Sequence, residues 1–329
     1  MMMMITVYTY MKCTICVMYN IINKFITFRV TMESIGWNFL PHSILVDIFF
    51  LLSPSDRFYA SLTCRSWNAC FHMPCVWSKV SFRFIAEQNS NCLQCVDKFG
   101  SYLKTVCIEL DQYQPVNRTC ACKVLSAIAR LHERRIRRLK IKFVGENPCL
   151  YAGQEFVNAL CELFGPVPEK VHIVNSLVHV DLSGMNVAFD GSLLDLLSEN
   201  NPLLETLNIQ NMVLICQVGS SATLRLVERC RRLWELCIYN HSLSEDVLLA
   251  LTADDRAPLC HLSVYFRRED KFSRDIPTDV WKTVTGKLPR LRVTLGFDHT
   301  CPLSKLSEVH RKYLPVNLCY LCISQKVSK

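Results

Sequence analysis

Between residues 41 and 52 the apolar side chains recur at helical spacing, with Ile44, Leu45, Ile48, Phe49 and Leu52 on one stripe. Pro41 suits the first turn of that helix, and Ser53-Pro54-Ser55-Asp56 both ends it and caps the next. Phe58, Leu62, Arg65 and Trp67 continue the helical spacing, and Pro74 opens a last short piece whose Trp77 can fold back as a core plug. The pattern predicts three helices over residues 35–80. From residue 99 onward the pattern changes to L-x-x-L-x-L, with Ile or Val as substitutes, at eight stations. These are Leu103/Val106/Ile108, Ile136/Leu139/Ile141, Leu177/Val180/Leu182, Leu204/Leu207/Ile209, Leu233/Leu236/Ile238, Leu259/Leu262/Val264, Leu288/Leu291/Val293 and Leu318/Leu321/Ile323.

The stations recur at intervals of roughly 26 to 41 residues, which suits a unit of one short strand and one helix. Helical patterns fill the intervals at 122–133, 155–164, 192–199, 222–231 and 245–252, and an insertion is expected near Gly165-Pro166-Val167-Pro168. A unit this small cannot enclose its own apolar face, so successive units must stack. The fold class expected is therefore α/β: a three-helix module followed by a leucine-rich-repeat solenoid with parallel strands on the concave face and helices outside. Residues 81–98 read as a linker and 99–329 as about eight irregular repeats. Only Gln325-Lys326-Val327-Ser328-Lys329 follow the last station, so the array reads as stopping short of a polar capping repeat.

A module of about 45 residues cannot bury a helix as apolar as 41–52 on all sides, and part of that helix is expected to meet a partner. The residues Leu40-Pro41, Ile44-Leu45, Ile48-Phe49, Leu52, Asp56, Ala60, Leu62-Thr63-Cys64-Arg65, Trp67 and Trp77 resemble the F-box motif over almost its whole length. The resemblance implies docking to a Skp-family adaptor and, through it, to cullin and RING subunits of a ubiquitin ligase. It places Leu40, Pro41, Ile44, Leu45, Ile48 and Phe49 against the adaptor, with Leu62, Cys64 and Trp67 holding the helices together. Ser66 stands where the family more often has a basic residue. The repeats, with Asp97-Lys98-Phe99-Gly100-Ser101-Tyr102-Leu103, resemble those of the group around F-box only proteins 39 and 33.

Strand alternation sends the residues between the apolar positions to the concave surface. Arg138, Lys140 and Lys142, preceded by Arg134, Arg135 and Arg137, make a basic row there, with His179 and Asp181 beside it. Such a row suits an acidic or phosphorylated protein segment, with a solvated strand face as the plainer reading and a nuclear-import signal as a third. The alternatives are an F-box scaffold without substrate turnover and a membrane-anchored repeat protein.

Composition narrows these options. The net charge of +8 is spread among acidic residues, which argues against a dedicated nucleic-acid grip. Nineteen cysteines without a framework of spacings read as reduced thiols of a cytoplasmic or nuclear protein. Residues 1–34 read as an apolar leader, since Lys12, Asn20, Asn23 and Lys24 interrupt the run that a membrane span would need. Of the close cysteine pairs, Cys13/Cys16 falls in that leader and Cys319/Cys322 would point to opposite faces of a strand. Only Cys92/Cys95 with Cys120/Cys122 could meet. No phosphate-cradling glycine loop, nucleophile elbow or HExxH is present, so no catalytic residue, metal or cofactor is expected.

Overall fold

Pro41 caps a helix, α1 (His42–Leu51), whose first backbone bond runs from the Leu45 amide to the Pro41 carbonyl at 3.1 Å. In this computed structural model the described residues are 40–85, 91–145, 153–166, 177–211, 217–266, 276–297 and the backbone of 318–322. Residues 1–34, with Cys13 and Cys16, lie outside them, as does the insertion beyond Pro166. Ser53 caps α2 (Pro54–Ser61) by accepting from the Asp56 amide, and Pro54 occupies the first helical position. After α3 (Arg65–Phe71) a 3-10 turn, Pro74–Trp77, closes the segment.

The chain divides into two compact units at Val76/Trp77. Within the first, Leu45, Phe49, Trp67, Cys70 and Phe71 form the core, with the Phe49 and Trp67 rings 5.7 Å apart. Arg57 is 1% exposed and acts as a clamp: Nε donates to the Leu52 carbonyl at 3.1 Å and Nη1 to the Val76 carbonyl at 2.7 Å. A guanidinium is well suited to this, because its fork satisfies carbonyls freed at the end of one helix and in a turn far along the chain.

The second unit is one parallel sheet of nine strands in sequence order, counted among the described residues. The strands are β1 (Lys79–Phe84), β2 (Thr105–Leu110), β3 (Arg138–Phe143), β4 (His179–Gly184), β5 (Thr206–Asn208), β6 (Glu235–Tyr239), β7 (His261–Phe266), β8 (Arg292–Phe297) and β9 (Leu318–Cys322). Between them run α4 (Cys92–Phe99), α5 (Pro115–Ala129), α6 (Gln154–Phe164), α7 (Gly191–Asn200), α8 (Ser220–Arg229), α9 (Glu245–Leu251) and α10 (Thr278–Lys287). The helical patterns of the sequence fall within or beside α5 to α9. The largest offset is at α5, which starts at Pro115 because proline fills N1 without losing a bonded amide.

Register is carried by a buried row across the strands: Val80, Val106, Leu139, Val180, Leu207, Leu236, Leu262 and Val293 align in turn, each almost fully buried. Three expectations change. The stretch 81–98 is not a linker, since β1 pairs with β2 over six residues and α4 follows it; its Val80-Ser81-Phe82-Arg83-Phe84 alternation is a strand pattern. Trp77, 1% exposed, stacks on Phe99 at 3.9 Å, both rings lying in the second unit. At the far end Val293 and Leu295 of β8 align with Leu262 and Val264, two residues beyond the expected Leu291/Val293. In β9, Leu318 and Tyr320 align with Val293 and Leu295, while Leu321 aligns with Gly296, the opposite parity to the expected Leu318/Leu321/Ile323.

Neighbouring repeats are also clipped by arginines placed at helix ends. Arg134 donates to the Ala129 and Gly165 carbonyls at the ends of α5 and α6, and Arg256 to the Val227, Cys230 and Ala250 carbonyls around α8 and α9. Burial pushes the Arg134 guanidinium down to about 10. Outside the sheet, Asp195 of α7 takes both Arg225, at 2.6 and 2.7 Å, and Arg229 of α8. At Gly184 a Cβ would come within 2.9 Å of the Lys142 backbone, where the β3–β4 register shifts, so only glycine fits that approach. Among the described residues no helix is long and apolar enough to cross a membrane.

Removing the Arg57 clamp strands two buried carbonyls. Arg57→Ala should lower the stability of the first unit by about 3 kcal/mol, read as loss of hydrogen-exchange protection over residues 42–77 of the full chain.

Candidate functional site

Two surfaces collect the residues that the sequence singled out. The first lies on the three-helix unit. Of the six positions expected to meet a partner, Pro41 and Ile44 are exposed and Leu40 is half-buried, whereas Leu45, Ile48 and Phe49 are buried in the unit's own core. The stripe is wider than one helix face: its inward edge is spent on α3, and only the outward edge is free. Leu62, expected inside, is 65% exposed, in contrast to Trp67, which is buried as expected. Leu51, Phe58 and Tyr59 are also about half exposed. Large apolar groups left in water on so small a unit mark a docking surface.

The second surface is the open face of the sheet, opposite the buried row. Parallel register arranges its side chains in lines across the strands. One line runs Lys79, Thr105, Arg138, His179, Thr206, Glu235, His261, Arg292; the next runs Ser81, Cys107, Lys140, Asp181, Asn208, Cys237, Ser263, Thr294. All five expected residues, Arg138, Lys140, Lys142, His179 and Asp181, are on this face. They do not act alike. Lys140 pairs with Asp181 at 2.7 Å, and that hydrogen bond raises the ammonium pKa. Burial works against the Asp181 charge, but Lys140 together with the Ser183 hydroxyl and amide outweighs it and holds the carboxyl below its ordinary value. His179 is pulled down by burial and by Arg138, and its Nδ1 lies 2.9 Å from the Thr206 hydroxyl.

Arg134 is committed to backbone carbonyls and Arg135 to Glu133, so the basic row shrinks to the exposed Arg137, Arg138 and Lys142. In β8, Arg292, Thr294 and Gly296 supply the cross-strand lines. Sequence reasoning missed Lys79 and Arg83, because β1 was divided between the three-helix module and the linker. Gln210, which strand alternation puts on this face, ties three strands together there: its Nε2 donates to the Ile238 and Ser263 carbonyls at 3.0 and 2.9 Å. Among the described residues, Cys92, Cys95, Cys120 and Cys122 do not gather into a ligand set. Burial, followed by the neighbouring Cys120, pushes the Cys92 thiol up to about 11, so it is protonated at neutral pH.

A family model for the F-box-like domain matches residues 37–83, the three-helix unit with β1. F-box/LRR-repeat protein 8 of Homo sapiens is 27% identical over 286 residues, which cover 87% of this chain and 74% of that protein. F-box/LRR-repeat protein 21 of Mus musculus is 27% identical over 276 residues, or 80% of this chain and 60% of that protein. Its counterpart in Bos taurus is 26% identical over 275 residues, with the same coverage. Together with the solenoid, these likenesses support an F-box-like domain followed by a leucine-rich-repeat-like domain. The narrower group expected from residues 97–103 is not represented among these three relatives.

Asp181 has a depressed pKa in the folded chain, so its contribution to stability is present above the ordinary value of 3.8 and is lost as pH falls through the lower folded value. The unfolding midpoint should therefore drop on acidification through that range, and Asp181→Asn should flatten the drop when both are followed by circular dichroism.

Proposed function

We propose that the chain is the substrate-recognition adaptor of a Skp-cullin-F-box ubiquitin ligase. Its three-helix unit docks a Skp-family adaptor, which links it to cullin and RING subunits, and the open face of the sheet receives a protein substrate. The observation that carries this reading is the set of exposed apolar side chains, Ile44, Leu51, Phe58, Tyr59 and Leu62, on a unit whose core is already filled. The chain itself supplies no reacting group in this role. It holds a substrate near a ubiquitin carrier bound elsewhere, and proximity is its contribution.

An acidic or phosphorylated segment suits Arg137, Arg138 and Lys142, while Lys140 stays with Asp181 unless a stronger anion displaces it. A reducing compartment, the cytoplasm and/or the nucleus, agrees with the free thiols at Cys70, Cys230 and Cys237. Burial pushes the Cys230 thiol up to about 12 against the opposing pull of Arg256 and Arg229, which leaves it an inert core group.

The test is co-purification of the full chain with a Skp-family adaptor. Ile44→Asp with Leu62→Asp should weaken binding at least about 30-fold, the loss of one hot spot, while circular dichroism stays unchanged. Ile48→Asp, by contrast, should unfold the unit, since that side chain is 6% exposed. Unaltered binding by the double variant would refute the proposed surface.

A further inference from the structure

Two positions on the open face break the alternation. By parity Cys237 and Tyr239 of β6 belong with the solvent-facing lines, yet Cys237 is 5% exposed and Tyr239 is 1% exposed. Tyr239 is covered by the Tyr265 ring, 6.0 Å away and edge-on, and by the buried Asn211, to whose side-chain oxygen its hydroxyl donates at 3.3 Å. Gln210 bridges over β6 to Ser263, the register partner of Cys237. The result is a firm polar floor in which one thiol sits beside a carboxylate and an imidazole. We propose that Glu235, Cys237 and His261 form a binding site for a divalent cation of the zinc class, a site that does not depend on the adaptor reading.

The geometry follows from the sheet. Glu235 and Cys237 are two residues apart on one strand and therefore share a face, and parallel register sets His261 of β7 directly beside Glu235. One ligand atom from each lies within 4.8 Å of the others. The Glu235 Oε1 is 3.1 Å from His261 Nδ1 and 4.0 Å from the Cys237 Sγ. A tetrahedral zinc ion, bonded at about 2.0–2.3 Å, needs ligand atoms about 3.3–3.8 Å apart, so side-chain rotations on a fixed backbone suffice. Placement on strands gives the backbone rigidity that such a site needs.

The donor set selects the ion. Thiolate, imidazole and one carboxylate suit zinc or cobalt and disfavour magnesium and calcium, which require mostly oxygen. The far ring nitrogen of His261 is 3.0 Å from the Thr294 hydroxyl, a contact that fixes the ring and lets Nδ1 carry the lone pair. A metal ion would take the place of the Nδ1···Glu235 contact. Burial first, then Glu235 and Asp181, push the Cys237 thiol up to about 12; the carboxylates that oppose a thiolate there attract a cation. Arg292, the register partner of His261, opposes binding, and it is exposed to water.

Three ligands leave a fourth position, and the partial exposure of Glu235 and His261 directs it to the open face. A water molecule, or a histidine or carboxylate of a docked protein, could complete the shell.

The experiment is a cobalt(II) titration of the metal-free full chain. The expected result is a thiolate-to-cobalt charge-transfer band at one ion per chain that zinc bleaches. Cys237→Ser should abolish the band, His261→Gln should weaken cobalt binding more than about 100-fold, and Thr294→Val, which removes only the outer contact, about 10-fold. Cys260→Ser, at an exposed thiol on the edge of β7, should keep the band intact. Zinc should raise the thermal midpoint of the parent chain and leave that of Cys237→Ser unmoved, the two melting alike without metal. No band in the parent, or an undiminished band in Cys237→Ser, overturns the site.

Discussion

The structure depends on one constraint: no repeat of this chain can cover its own apolar side, so each strand must lie in register against the next. The row from Val80 to Val293 is that constraint made visible, because each of its members is shielded by the one before and the one after. Once the row is set, strand geometry leaves no choice about the other side chains. They emerge on the open face in parallel lines, and residues tens of positions apart in sequence become neighbours. The same pairing that buries Leu236 against Leu262 puts Glu235 beside His261. Stability and recognition are thus two faces of a single register.

The three-helix unit works by a different economy. Its α1 is apolar nearly all round, but only one edge of it is covered by α3, and Arg57 stitches the segment closed through backbone carbonyls. A unit of that size reaches a filled core while large apolar groups still face water. Such a surface is costly to keep bare in water, which is why a partner for it is part of the account.

Much of this was legible in the sequence. Eight apolar stations foretold β2 to β9, since a repeating L-x-x-L-x-L has little other structural meaning, and the joint spacing from Leu40 to Trp77 foretold the helical unit. What failed, failed for local reasons. Val80-Phe82-Phe84 lacks the leucine signature, so β1 was divided between the three-helix module and the linker although its alternation was present. In β8 the station slipped because Leu288 and Leu291 are buried ahead of the strand and imitate its pattern. Helical periodicity told that Leu45, Ile48 and Phe49 lie on an apolar stripe but not which edge of it the unit consumes. The basic row looked larger in sequence than it is, as Arg134 and Lys140 are taken by carbonyls and by Asp181. Cys237 and His261 could not be paired from spacing, being joined only through strand register.

Hydrogen–deuterium exchange of the full chain, with and without a Skp-family adaptor, probes the central claim most directly. The account predicts new protection concentrated in α1 and α2, around Ile44 and Leu62, with the strands of the sheet unchanged. Protection spread over the open face of the sheet, or none in the helical unit, would contradict it.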